Sequence, residues 1–265
     1  VINLCNVLNS STRLQVHAHW KPIADSTFRM HKMFPEHIEL FNLSPIQPIK
    51  EYQTDAFNAF LPPSTVMVGD VWELDANSVV SFLRQFHPGA TTNLGYGEEG
   101  AFACLRANSS NYAEIAFRIH AEFTLKSAAY QEWQEANDET ESEARFIPSQ
   151  FSGKILINLK SGTVRAFSLA LPSRNSNVDL NAYGGADMIF VPRMELLAVD
   201  ETDQDDIAWD TAITTEEAYR ALELKFYKFA EIDWLPVDEA VAQAKATNRP
   251  IHSILVWGCL DDESC

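Results

Sequence analysis

Hydrophobic and polar positions alternate most regularly from Tyr112 to Lys126, with Ala113, Ile115, Phe117, Ile119, Ala121 and Phe123 on one side and Glu114, Arg118, His120 and Glu122 on the other. A period of two over that length predicts one half-buried antiparallel strand. Leu14, Val16 and Ala18 alternate in the same way and predict a strand near the start. GKILINL and VRAFSLALP, separated by Lys160-Ser161-Gly162-Thr163, predict a hairpin. STVMVGDVWEL reads as a short strand and turn, and Met188 to Leu197 as a further strand interrupted by Pro192. Residues 51 to 126 read overall as helix, loop, helix and then strands.

Helical spacing is clearest in three places. Asp75 can cap a helix carrying Val79, Val80, Leu83 and Phe86 on its inner side and ending at His87-Pro88-Gly89. Thr214 to Glu217 fits a capping box, and the helix it opens sets Ala218, Leu222, Phe226 and Phe229 along one stripe, a core or domain-docking surface. Val237 to Thr247 places Val237, Ala240, Val241 and Ala244 on one face expected to be buried, with Pro236 suited to the first turn and Asn248 able to close the helix.

The segment after that third helix carries the candidate chemistry. Arg249-Pro250 forces an extended restart, and Ile251 to Leu260 has the composition of a strand covered on both faces. It is expected to borrow an edge of the larger sheet or to be poorly ordered, with Trp257 and Leu260 as tethers. Asp261-Asp262-Glu263-Ser264 is too polar for a core, and Cys265 comes next. Helix, tight turn, buried strand, loop and cysteine is the order in which a thioredoxin-type fold brings a thiol to the tip of a parallel strand. Free N–H groups at the start of the next helix favour a thiolate there, and the thiolate is the nucleophile. Cys265 is therefore the candidate catalytic residue. The three neighbouring carboxylates oppose its ionisation, so alone it is expected to be a weak nucleophile. Cys259 is expected to pack in the strand rather than resolve a disulfide.

Composition narrows the choice of function. The chain has 265 residues, 46% of them hydrophobic, enough for one large domain or two ordinary ones with a real core. A net charge of -17 argues against binding to nucleic-acid backbones or anionic lipid surfaces, because both would be repelled. No stretch reaches the roughly 18 apolar residues of a membrane span, and the opening VINLCNVLNSS, which begins with Val, has no signal-peptide pattern. These residues are expected to be soluble, without membrane contact. Four cysteines, Cys5, Cys104, Cys259 and Cys265, are too few for a disulfide framework and have no zinc spacing, and Cys104 is expected to be core.

Other local patterns carry less. His17 and His19 would share one face of a strand and could chelate a metal with His31 or His37 nearby, or form a partly exposed polar face. No carboxylate stands at a metalloenzyme spacing, so no metal is expected. Gly95 to Gly100 is a literal GxGxxG, but GAFACLRA after it is strand-like and two glutamates would meet the phosphate, so a hairpin turn is expected and no cofactor. AAYQEWQEANDETESEA reads as a helix fading into an acidic loop, in which Asp138, Glu139, Glu141 and Glu143 form a solvated charge run. Asp200 to Asp210 lacks the glycine and glutamate of an EF-hand, and the Asn-x-Ser patterns at Asn9, Asn42 and Asn108 assign no compartment.

WLP, the helix with EA and AK, RPIHSILVWG, LDD and the closing Ser-Cys together resemble the selenoprotein N family, whose site is Ser-Cys-selenocysteine-Gly. FSGKILINLKSGTVRAFSLALP and NVDLNAYGGADMIFVPRMELL are similar to the less distinctive middle of that family. The resemblance implies a chain of bacterial type cut immediately before the selenocysteine, and a thiol-disulfide oxidoreductase in which selenocysteine attacks and Cys265 resolves. Its partners would be a protein or small-molecule disulfide substrate and a thiol electron donor. The absent EF-hand departs from vertebrate members, and the endoplasmic reticulum membrane of eukaryotic members is not legible in these residues. The expected class is α+β: a mainly antiparallel N-terminal domain over 1-228, then over 229-265 the first helix and strand of a truncated thioredoxin-like domain. Two other readings stand beside it, a non-catalytic partner-binding module and a His-dependent metal hydrolase.

Overall fold

A computed structural model describes residues 1–21, 44–93, 99–125, 144–148, 150–172, 177–182, 185–191, 193–199 and 207–253. The first strands are β1 (Arg13–Lys21), β2 (Ile49–Gln53), β3 (Val71–Glu73), β4 (Ala90–Thr91), β5 (Ala101–Asn108), β6 (Tyr112–Ile119) and β7 (Glu122–Leu125). They continue as β8 (Ala144–Pro148), β9 (Phe151–Asn158), β10 (Thr163–Ala170), β11 (Asn177–Ala182), β12 (Gly185–Phe190), β13 (Arg193–Val199) and β14 (Thr211–Ala212). The helices are α1 (Ala76–Leu83), α2 (Thr215–Phe226) and α3 (Val237–Thr247), with 3-10 helices at Thr54–Phe60, between β2 and β3, and at Lys228–Glu231, between α2 and α3. Among the described residues no helix is long and apolar enough to cross a membrane.

The strands form a nine-stranded sheet in the order β14-β5-β6-β9-β10-β13-β1-β2, with β3 also on β5, and a five-stranded sheet in the order β12-β11-β8-β7-β4. The pairings described in both are antiparallel, so the mainly antiparallel α+β expectation holds for this part. The β9–β10 hairpin turns where the sequence places it, with Gly162 at φ +64. A side chain there would be strained by the left-handed backbone and would meet the Val7 carbonyl oxygen at 2.6 Å.

Period-two alternation fills one face of the large sheet. Phe151, Ile155 and Ile157 of β9 and Val16, Ala18 and Trp20 of β1 are buried, and Phe57 and Phe60 of the first 3-10 helix and Val79, Val80, Phe82 and Leu83 of α1 cover them. The core is largely aromatic: Phe82 lies on Tyr52 at 4.7 Å, and Phe60 on Phe117 at 4.5 Å. Trp20 joins the two sheets, stacked on Phe146 of β8 at 5.5 Å and edge-on to Phe86 at 6.1 Å. Gly153 leaves room for the Phe117 ring, since a Cβ there would lie 2.3 Å from it.

Several expectations are corrected. The long alternating run is not one strand: it breaks at His120-Ala121, and β6 belongs to the nine-stranded sheet while β7 belongs to the five-stranded one. Its polar side is not half-solvated either, because Arg118, His120 and Glu122 are all buried. Pro192 likewise separates β12 and β13, which lie in different sheets. The first helix of residues 51 to 126 is the 3-10 segment after β2, and α1 ends at Leu83, with hydrogen-bonded turns carrying the chain to Phe86.

Both helix starts legible in sequence are present. Asp75 accepts from the Ser78 N–H at 2.9 Å, and Thr214 and Glu217 form the reciprocal capping box. Helix α3 spans the expected residues, and Asn248 closes it in the left-handed conformation with its N–H on the Ala244 carbonyl. The correction concerns its face. None of its residues is buried, and Val237 is 78% exposed. Ile251 to Ser253 are irregular, and the rest of the expected terminal strand, with Cys259 and Cys265, lies outside the described residues.

Candidate functional site

The second face of the large sheet is built from two parallel rows of side chains. Register places Cys104, Ala116, Lys154 and Ser168 in one row across β5, β6, β9 and β10, and Phe102, Arg118, Ser152 and Ala170 in the next. Small Cys104 and Ala116 let α2 approach closely, and its Ala218 and Leu222 pack on them. Burial pushes the Cys104 thiol up to about 11, with the Asp70 carboxylate adding to the effect, so it behaves as a core residue, as expected. The α2 stripe thus has a partner within the described chain.

The same helix leaves β9 and β10 uncovered on its other flank. Small Ser152, Ser168 and Ala170 make a low floor there, and the α2 edge residues Glu216, Tyr219, Arg220 and Glu223 make a wall. Between them lies a cavity of about 730 Å³. Its deep groups are Arg118 and Gln150, at 3% and 2% exposure. Burial, with the Glu114 carboxylate nearby, pushes the Tyr219 phenol up to about 12, so at neutral pH it is a hydroxyl donor in the wall. Arg220 bonds Glu223 at 3.0 Å along the helix.

Arg118 is held from several sides. Its Nε–H donates to His120 Nε2 at 2.8 Å, which makes that imidazole nitrogen an acceptor. The guanidinium lies 5.1 Å from the Phe226 ring centroid and 5.2 Å from that of Tyr227. His120 stacks on Phe226 at 3.7 Å and 12°. This cluster pins the C-terminal end of α2 to the sheet. A second charged group under α2 joins Arg106 to Glu114, with Lys154 4.0 Å from the same carboxylate and the Arg106 guanidinium 5.2 Å from the Trp209 ring. Glu122 pairs with Arg145 of β8 at 3.6 Å.

The residues singled out from sequence lie elsewhere. Cys265, the candidate nucleophile, is outside the described residues, as are His31, His37, Gly95 to Glu98, residues 126–143 and Asp200 to Asp206. His17 and His19 do share one strand face: the register carries the two sheet rows on from Ser168 to Leu197 and His17, and from Ala170 to Glu195 and His19. His17 bonds Gln15 at 3.1 Å, and no set of three metal-ligating side chains is formed among the described residues. Gly100 leads into β5 and not into a helix, while Gly95 to Glu98 lie outside the described residues; the flanking strands β4 and β5 belong to different sheets and do not pair with each other as the expected hairpin requires. Sequence reasoning missed Arg118, His120 and Gln150. The signal available was the aromatic end of the α2 stripe, which needed a surface to dock on.

Three curated proteins align with most of the chain. Selenoprotein N of Danio rerio is 31% identical over 273 residues, covering 81% of this chain and 47% of that protein. Selenoprotein N of Homo sapiens is 31% identical over 277 residues, covering 82% and 45%. This chain belongs to a selenoprotein N-like family. Selenoprotein N of Mus musculus agrees, at 30% identity over 82% of the chain and 48% of the relative. The chain spans about half the length of these selenoprotein N relatives. No family model matches it, and no solved structure does.

Proposed function

We propose that this selenoprotein N-like chain serves thiol-disulfide oxidoreduction, with Cys265 as the sulfur half of a Cys-selenocysteine couple at the end of a thioredoxin-like strand. The observation that carries the reading is the similarity to proteins named selenoprotein N, together with the segment from Asp233 to Cys265 that resembles the family's redox motif. A capped helix over Val237–Thr247, followed by Arg249-Pro250, is compatible with the opening of a thioredoxin-like unit over 229-265.

In the proposed cycle the selenolate attacks one sulfur of a substrate disulfide. The S–S bond breaks, a Se–S bond forms, and the first substrate thiolate leaves. Cys265 then attacks the selenium, releasing the second substrate thiolate and leaving a Cys265–selenocysteine bond. A thiol donor returns the couple to its reduced state by supplying two electrons and becoming a disulfide itself.

The test compares disulfide reduction by the 265-residue chain with that by a chain extended through selenocysteine-Gly and a following helix. The short chain is expected to turn over near background and the extended one to be active. Cys265→Ser in the extended chain should remove turnover. Equal rates for the short and extended chains, or full activity in the serine variant, would refute the assignment.

A further inference from the structure

We infer that the cavity between α2 and the β9–β10 surface is a binding site for a short uncharged oligosaccharide, held by the hydroxyl groups of Ser152, Ser168 and Tyr219 and by the Glu216 carboxylate at the rim. Its volume, about 730 Å³, lies in the range of ligand sites, roughly 300–1,000 Å³. Register sets Ser152 opposite Ala170 and Ser168 opposite Lys154, so the two serines are diagonal neighbours on one face of the sheet. Such neighbours stand about 7–8 Å apart, a spacing that one sugar ring with its hydroxyls can bridge.

The charged groups of the cavity answer one another and leave the neutral ones to a guest. Arg220 bonds Glu223 at 3.0 Å along the helix. Arg118 donates from Nε to His120, and its guanidinium lies against the Phe226 and Tyr227 rings. Both guanidinium groups are thus engaged within the fold, and neither selects an anion. A protein of net charge -17 repels one from outside as well. A cation that enters meets the two arginines. The hydroxyls of Ser152, Ser168 and Tyr219, by contrast, make no side-chain hydrogen bond to another described residue, and none is among the polar atoms sealed in the core without a partner. Each can donate one hydrogen bond and accept others. Burial keeps the Tyr219 phenol protonated at neutral pH, so its donor is retained. Gly153, Ala170 and Pro172 supply the less polar part of the lining. A chain of sugar rings matches this surface, because its hydroxyls both donate and accept and its C–H faces tolerate apolar contact. Glu216, exposed and in no ion pair among the described residues, can accept from a sugar hydroxyl in a charge-assisted bond. This site is separate from the proposed redox couple and does not depend on it.

Titration calorimetry on the 265-residue chain decides the matter, with maltotriose, cellotriose and triacetylchitotriose as neutral probes and trigalacturonate and N-acetyl-tri-alanine amide as an anionic sugar and a neutral peptide. Saturable binding of at least one neutral sugar is expected at millimolar concentration or below, with the anionic sugar and the peptide weaker by about tenfold or more. Tyr219→Phe and Ser168→Ala each delete one hydroxyl with little change of shape, and each should weaken that sugar about two- to tenfold. Ser152→Leu should fill the floor and abolish binding while circular dichroism remains that of the folded chain. Should Ser152→Leu fail to fold, the two hydroxyl deletions decide. Absence of saturable heat with all of the neutral sugars at millimolar concentration would overturn the assignment. So would binding of the anionic sugar or the peptide as tight as that of the best neutral sugar, or undiminished affinity in both Tyr219→Phe and Ser168→Ala.

Discussion

Helices α2 and α3 obey the same local rules and meet different fates. Each has acids in its first turn, Glu216 and Glu217 or Asp238 and Glu239, and a lysine in its last, Lys225 or Lys245, matching the helix dipole. Each carries an apolar stripe and a defined end. Yet Ala218, Leu222 and Phe226 are buried, while no residue of α3 is. The difference lies in the partner surface. Cys104 and Ala116 are small and aligned under α2, and the Arg118–His120 pair receives its aromatic end. The residues leading into α3 are exposed: Ile232 at 50%, Leu235 at 43% and Val237 at 78%. Amphipathic spacing therefore tells which face wants burial, and only tertiary structure tells whether it is obtained.

The largest way to break the comparison is truncation of the two stripes. Leu222→Ala should lower unfolding free energy in urea by about 2–5 kcal/mol, whereas Val241→Ala in α3 should change it by less than about 0.5 kcal/mol. Equal losses would mean that α3 is as firmly packed as α2. Alkaline stability comes next. Cys104, beneath α2, has its folded value raised from 9.0 to about 11, so its contribution is complete below pH 9 and is lost as pH rises from there through 11. Tyr219 acts with the same sign from 10.0 to about 12. Urea midpoints of wild type should thus fall above pH 9, and Cys104→Ala should flatten the first part of that fall. A curve unchanged by the substitution would show that the thiol is not sealed under the helix. Caps give the smallest effect: Thr214→Ala should cost about 1 kcal/mol in the main transition, and Asn248→Ala should leave that transition in place.

Legibility followed the range of the interaction. The β9–β10 hairpin, the Asp75 and Thr214 caps and the Asn248 terminator depend on neighbours within a few residues, and all three kinds of signal were present in the chain. The crossing at His120-Ala121 was hidden, because Ile119, Ala121 and Phe123 keep the same apolar period on both sides of the break. Pro192 gave a local mark for the analogous crossing between β12 and β13, and even so not the change of sheet. Burial of Arg118, His120 and Glu122 was equally hidden, since it depends on α2 and β8, elements distant in sequence. The cavity could not be read at all: it arises where α2 stops covering β9 and β10, a matter of register between remote segments.

Hydrogen exchange on the 265-residue chain tests the contrast between the helices most directly. Amides of Ala218 to Phe226 are expected to exchange only through large-scale opening, with protection close to that of β6 and β9, while amides of Val241 to Thr247 exchange near the rate of an isolated helix. Comparable protection in both helices would contradict the uncovered state of α3, and with it the division between a packed sheet scaffold and an exposed segment leading toward Cys265.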